Sequence, residues 1–169
     1  KRQMKQVDWR PEWNVLDIGC GGGANVKRLL KLCPQGKVYG MDLSEESVAF
    51  ARRHNAGELD RRCFIQQGDV CSLPYGDGAF DAVTAFETVY FWSSVSKALA
   101  EVFRVIRKGG CFLISLEASD PELGKAWTER IKGMTVYGAE ELKQLLSQAG
   151  FSDIRVIQKK EELHIVAHK

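Results

Sequence analysis

From Asn14 onward, short runs dense in apolar residues alternate with stretches whose apolar residues recur every three or four positions. The first kind reads as strands and the second as helices. Strands are expected at 14–18, 37–42, 63–67, 80–86 and 111–117, with two more near 154–158 and 163–167. Between them, Val26, Leu29, Leu30 and Cys33 share one helical face that Pro34 stops, and Ser44 caps a helix with Glu45 and Glu46 in its first turn. Val95, Leu99, Val102 and Ile106 mark a helix closed by Gly109; Leu142, Leu145, Leu146 and Ala149 mark one ending at Gly150. Such alternation is the signature of a parallel sheet wrapped by crossover helices. The link at 159–162 is too short for a crossover, so the last two strands should pair as an antiparallel hairpin. The rhythm breaks only at 118–137. That stretch reads either as a lid over a site or as a surface helix around 125–132 with a buried Trp127.

The 169 residues fit a single domain spanning 1–169, and 44% hydrophobic content suffices for a core. With 24 Lys plus Arg against 22 Asp plus Glu, the formal charge is +2. That near-neutrality argues against a protein that lives on phosphate backbones. Cys20, Cys33, Cys63, Cys71 and Cys111 form no C-x-x-C pair and are odd in number, which reads as reduced thiols in a cytoplasmic protein. His54, His164 and His168 show no metal-ligand spacing, so no metal is expected. His164 and His168 alternate with Leu163, Ile165 and Ala167, which places them on the exposed face of the last strand. No apolar run approaches the roughly 18 residues of a membrane span, and the given N-terminal residues hold no apolar leader segment; the chain begins at Lys1 rather than Met, which leaves a preceding segment open.

Chemistry concentrates where the strands end. Gly19-Cys20-Gly21-Gly22-Gly23 joins the first strand to the first helix, where glycines permit positive φ and let a ligand approach bare backbone at a helix N-terminus. The spacing fits G-x-G-x-G and, with Ala24, also G-x-G-x-x-A, so the loop alone defines a cofactor crevice or a tight turn. Asp42 closes the second strand about 20 residues beyond the loop, where a carboxylate can accept from a ribose diol; a solvated loop Asp is the plainer reading. After the third strand, Asp69 could accept from an exocyclic amine while the Val70 N–H faces a ring nitrogen, or Asp69 is an ordinary turn residue.

Taken in order, five segments resemble the class I S-adenosylmethionine-dependent methyltransferases, within them the group of the ubiquinone and menaquinone biosynthesis enzymes. They are Val15-Leu-Asp-Ile-Gly-Cys-Gly-Gly-Gly23, Val38-Tyr-Gly-Met-Asp-Leu-Ser44, Gly68-Asp-Val-Cys-Ser-Leu-Pro74, Phe80-Asp-Ala-Val83 and Arg107-Lys-Gly-Gly-Cys-Phe-Leu-Ile114. The resemblance runs from about Val15 to the C-terminus. It implies a doubly wound, Rossmann-like α/β fold with a mostly parallel seven-stranded sheet and one antiparallel strand, and S-adenosyl-L-methionine as cofactor. By the resemblance, Asp17, Gly19, Gly21 and Gly23 hold the methionine part, Asp42 the ribose and Asp69 the adenine amine. Leu43 packs on the adenine and the backbone around Ala85 and Phe86 receives the methionine ammonium. The family's N-terminal segment over the cofactor corresponds here only to 1–14, an incomplete cap.

Methyl transfer from a sulfonium is an in-line displacement that needs alignment, and a base only when the acceptor is protonated. Glu87 and Tyr90 are the candidate catalytic groups. Tyr90, Trp92, Trp127, Met134 and Tyr137 are expected to wall the acceptor pocket; core packing is the alternative for the 90–92 run, with Phe91 assigned to the core. Glu117 is either a pocket residue or a solvated strand end. No Asn/Asp-Pro-Pro-Tyr/Phe run and no Pro-Cys nucleophile is present. A small-molecule acceptor is therefore favoured over nucleic acid. The sequence leaves open a nicotinamide-dependent oxidoreductase and a non-catalytic cofactor-binding protein, and says nothing of oligomeric state.

Overall fold

The structure, a computed structural model, describes residues 3–160 and 162–169. Seven strands form one sheet: β1 (Val15–Ile18), β2 (Val38–Asp42), β3 (Cys63–Gln67), β4 (Phe80–Phe86), β5 (Ile106–Leu116), β6 (Ser152–Lys159) and β7 (Glu162–His168). Their order is β3-β2-β1-β4-β5-β7-β6. The β1–β2, β2–β3, β1–β4 and β4–β5 pairs are parallel, whereas β7 runs antiparallel to both β5 and β6. The hairpin expected from the short link is present.

Helices α1 (Ala24–Leu32) and α2 (Glu45–His54) cover one face, while α3 (Val95–Val105) and α5 (Ala139–Gln148) cover the other. Successive strand residues point to opposite faces. Val15, Val38, Leu113 and Val166 therefore pack with Val26 and Leu29 of α1. Leu16, Ile18, Phe112 and Ile114 pack with Leu99 and Val102 of α3 and Leu142 and Leu146 of α5. The first face is completed by the N-terminal residues Met4 and Val7, with Trp9 and Trp13 against them. Trp9 Nε1 donates to Met4 O at 2.6 Å, and Arg155 of β6 donates to Gln6 O. Ser44 caps α2 as expected, its hydroxyl accepting from Ser47 N at 3.2 Å.

Three expectations need correction. Gly109 does not close α3: the helix ends at Val105, and Ile106 already pairs with Phe80. The next paired positions are Ala82 and Cys111, so the extra residues containing Gly109 bulge out of β5 at φ +76°. His164 is buried rather than exposed, because β7 is an inner strand covered on both faces; its Nδ1 lies 3.1 Å from Ser115 Oγ and its Nε2 3.2 Å from Glu162. The 118–137 stretch contains a short helix, α4 (Lys125–Arg130), but Trp127 on it is exposed, not buried beneath it.

The chain moves outward from β1 through β2 to β3 on one side, then crosses back to β4 on the other side of β1. At such a reversal the connections leave the strand tips in opposite directions and open a crevice. The long β3–β4 connection is fixed to α3 by Arg104, which donates to Leu73 O and Tyr75 O, and by Glu101, which accepts from Leu73 N at 2.7 Å. No helix among the described residues is long and apolar enough to cross a membrane.

Candidate active site

The crevice at the carboxyl ends of β1, β2 and β4 is a groove of about 310 Å³. Ile18 and Gly19 form its β1 edge, Met41 to Ser44 its β2 edge and Gly68 to Val70 its β3 edge. Glu87, Thr88, Phe91, Trp92 and Ser93 close it from the β4 side. Of the residues singled out in the sequence, Gly19, Asp42, Leu43, Asp69, Val70, Glu87 and Trp92 line this one groove. Ala85 and Phe86 do not line the groove; the residues that follow them, Glu87 and Thr88, do. Gly21, Gly23 and Asp17 stand behind the Gly19 edge rather than among the lining residues.

The glycine turn has distinct local demands. Gly19, Gly21 and Gly23 all take positive φ. A Cβ on Gly19 would sit 2.1 Å from Thr88 Oγ1, and one on Gly23 would meet Ala51 and Asn55 of the α2 end. Only Gly21 of the three opens onto free space, with nothing within 4 Å of its notional Cβ. Gly21 therefore leaves room for a ligand, while the other two serve close packing.

Asp42 ties the two loops together. Its Oδ2 accepts from Gly21 N at 2.9 Å and its Oδ1 from Ser44 N at 3.0 Å. An ionised carboxylate offers about four acceptor positions, so each oxygen keeps capacity toward the groove. Asp69 Oδ1 accepts from Cys71 N at 2.8 Å, an Asx-turn that orients the carboxylate at the groove edge. Leu43 is exposed at the groove rim.

Asp17 is 1% exposed. Its Oδ1 accepts from Thr84 Oγ1 at 2.6 Å, whereas Oδ2 is buried without a partner. Burial pushes its carboxyl up to about 7; the Thr84 bond opposes this and the neighbouring Asp42 charge adds to it. A buried carboxylate with a spare oxygen under the glycine turn favours a cation nearby.

On the β4 side, Glu87 adopts φ +54° at the strand tip. Its Oε2 accepts from Tyr90 Oη at 2.9 Å and from Glu117 N at 3.1 Å, and Tyr90 Oη accepts from Ala118 N at 2.9 Å. Burial is the main cause that raises the Glu87 carboxyl above the usual range, against those two bonds. The 90–92 run divides: Tyr90 and Trp92 are buried, and Phe91, expected in the core, is 46% exposed against the groove. Trp127 and Met134 line a second cavity beside the groove with Glu87, Tyr90, Glu117 and Ala118. Tyr137 lines neither and packs on the core near α5. Thr88, which packs against the first glycine, was not singled out in the sequence; no spacing rule marks it.

The chain belongs to the methyltransferase domain family, which matches residues 16–114. Among relatives, a demethylmenaquinone methyltransferase of Symbiobacterium thermophilum is 36% identical over 120 residues, covering 70% of this chain and 47% of its own. A methyltransferase of Aquifex aeolicus, described as S-adenosylmethionine-dependent, superposes with a TM-score of 0.81 at 25% identity, over 98% of this chain and 87% of that one. The phosphoethanolamine N-methyltransferase 2 of Haemonchus contortus, solved with S-adenosylmethionine, gives 0.86 at 17% identity, over 99% of this chain and 51% of that one; it supports the fold alone. The chain spans about half the length of the curated relatives it matches.

Proposed function

We propose that this domain binds S-adenosyl-L-methionine in the strand-tip groove and transfers its methyl group to a small-molecule acceptor. The observation that carries the reading is a strand-tip groove edged by two anchored carboxylates, Asp42 and Asp69, beside a glycine turn left open at Gly21, on a sheet of the methyltransferase family. The residues fit the cofactor's parts. Asp42 would accept from the ribose hydroxyls, Asp69 from the adenine amine, and Leu43 would cover the ring. Asp17 would supply the negative charge that the cofactor's ammonium favours, acting from beneath the turn. When bound, the cofactor supplies a methyl on a positively charged sulfur, already a good leaving group.

What the chain adds is alignment and charge. Every charged residue lining the groove is acidic, Asp42, Asp69 and Glu87, which suits a ligand carrying positive charge. Holding donor and acceptor in line is worth about 7–11 kcal/mol. Five free thiols and the absence of a strong positive excess support a cytoplasmic enzyme with a non-nucleic-acid acceptor.

Titration calorimetry tests the assignment. S-adenosylhomocysteine should bind stoichiometrically and NAD should not. Asp42→Ala should weaken S-adenosylhomocysteine binding by about 2 kcal/mol or more, the scale for a hydrogen bond to a charged group. Binding of NAD in place of S-adenosylhomocysteine would reverse the assignment.

A further inference from the structure

Glu87 belongs to two cavities at once. It closes the β4 side of the groove, and it also floors a neighbouring cavity of about 280 Å³ with Tyr90, Glu117, Ala118, Trp127 and Met134. A molecule in this second cavity would therefore meet one in the groove across Glu87. The charged lining of both cavities is acidic throughout: Asp42, Asp69, Glu87 and Glu117, with no Lys, Arg or His. The rest of the second cavity's side-chain wall is an indole, a phenol and a thioether, over half of the Trp127 surface being exposed.

The hydrogen bonds at Glu87 leave one atom unused. Tyr90 Oη and Glu117 N both donate to Oε2, while Oε1 is buried without a partner. Neutral donors hold this carboxylate, and no cation among the lining residues offsets its charge. Aromatic faces and carboxylates around an apolar hollow are the surroundings that a ligand cation prefers, by ring quadrupole and by charge. An acceptor bearing a carboxylate or phosphate would instead face two like charges with nothing to offset them.

We propose, resting on the methyltransferase reading, that the acceptor is an amine whose nitrogen pairs with the Glu87 carboxylate, which has a hydrogen-bonding oxygen to spare, and whose apolar body lies against Trp127 and Met134. The amine enters as an ammonium and passes one proton to Glu87. Its freed lone pair forms the new N–C bond to the sulfonium's methyl as the C–S bond breaks, and that bond's electron pair stays on sulfur. The product leaves as a methylated ammonium, and Glu87 returns its proton to water.

The test uses the full chain, isotope-labelled and saturated with S-adenosylhomocysteine, and reads the indole N–H signal of Trp127, assigned with Trp127→Phe. Phenethylamine, phenethyl alcohol and phenylacetate are titrated in turn. The amine should shift the signal with an affinity about tenfold above that of the alcohol, and phenylacetate should give no saturable shift. Glu87→Gln should erase the preference of amine over alcohol, and Glu117→Gln, which removes the second acidic charge of the lining, should reduce it. An alcohol that binds as well as the amine, a saturable shift with phenylacetate, or an amine preference that survives Glu87→Gln overturns the proposal. Calorimetry on the same sample keeps the two readings apart. If S-adenosylhomocysteine fails to bind, the methyltransferase assignment falls; if it binds and the amine preference is missing, only the acceptor class falls.

Discussion

Gly19 and Gly21 stand two positions apart in one turn, at similar positive φ, yet a methyl group added to each would meet different surroundings. Gly19→Ala drives a carbon to 2.1 Å from Thr88 Oγ1 as well as imposing left-handed strain, so it should lower stability by about 2–4 kcal/mol in urea unfolding. Gly21→Ala meets only the strain, about 1 kcal/mol, but fills the open space beside the groove's β1 edge and should weaken S-adenosylhomocysteine at least about tenfold. Equal losses of stability in both variants would refute this division of labour. Asp17 makes a pH prediction. Its folded-state value, about 7, lies above the ordinary 3.8, so the native state holds the proton more tightly than the unfolded chain. The Asp17 contribution is thus most favourable below about pH 4 and is lost as pH rises toward 7. Asp17→Asn should gain in Tm over the wild type progressively from pH 4 to 7 in the ligand-free protein, then hold a constant lead. A lead that does not change with pH would mean that Asp17 stays charged throughout.

At the level of elements, the strands and helices were legible because each carries its own period: Val26, Leu29 and Leu30 on α1, Leu142 and Leu146 on α5, Ser44 at a cap. The short 159–162 link dictates the antiparallel pairing of β6 and β7. It does not fix the position of β7 inside the sheet, and so His164 is buried where alternation alone sets it on an exposed face: alternation tells which face a residue takes, not whether that face is covered. Gly109 sits in a bulge although its sequence context equally suits a helix end, because a positive-φ glycine serves both. The groove edges at Asp42 and Asp69 were visible because they lie at strand tips. The acceptor side was only partly so. Tyr90, Phe91 and Trp92 are consecutive aromatics, and the tight turn after β4 sends Phe91 outward and its two neighbours inward. No local pattern encodes that choice, nor the packing of Thr88 against Gly19.

For the molecule as a whole, the central pairing is remote in sequence: Asp17 and Thr84 join across β1 and β4 at a separation of 67 residues. The β1–β2–β3 unit with α1 and α2 supplies one bank of the groove, and the unit beginning at β4 supplies the other. A bound nucleoside therefore clasps two portions of the chain that local contacts alone do not hold together. Hydrogen exchange should report it: saturating S-adenosylhomocysteine should slow exchange in β1 and β4 in concert, with little change in β6. Slowing confined to β2 and β3 would show the ligand resting on one bank only. In the two-bank case the bound nucleoside acts as a rivet through a joint, and its concentration sets how tightly the domain stays closed against unfolding.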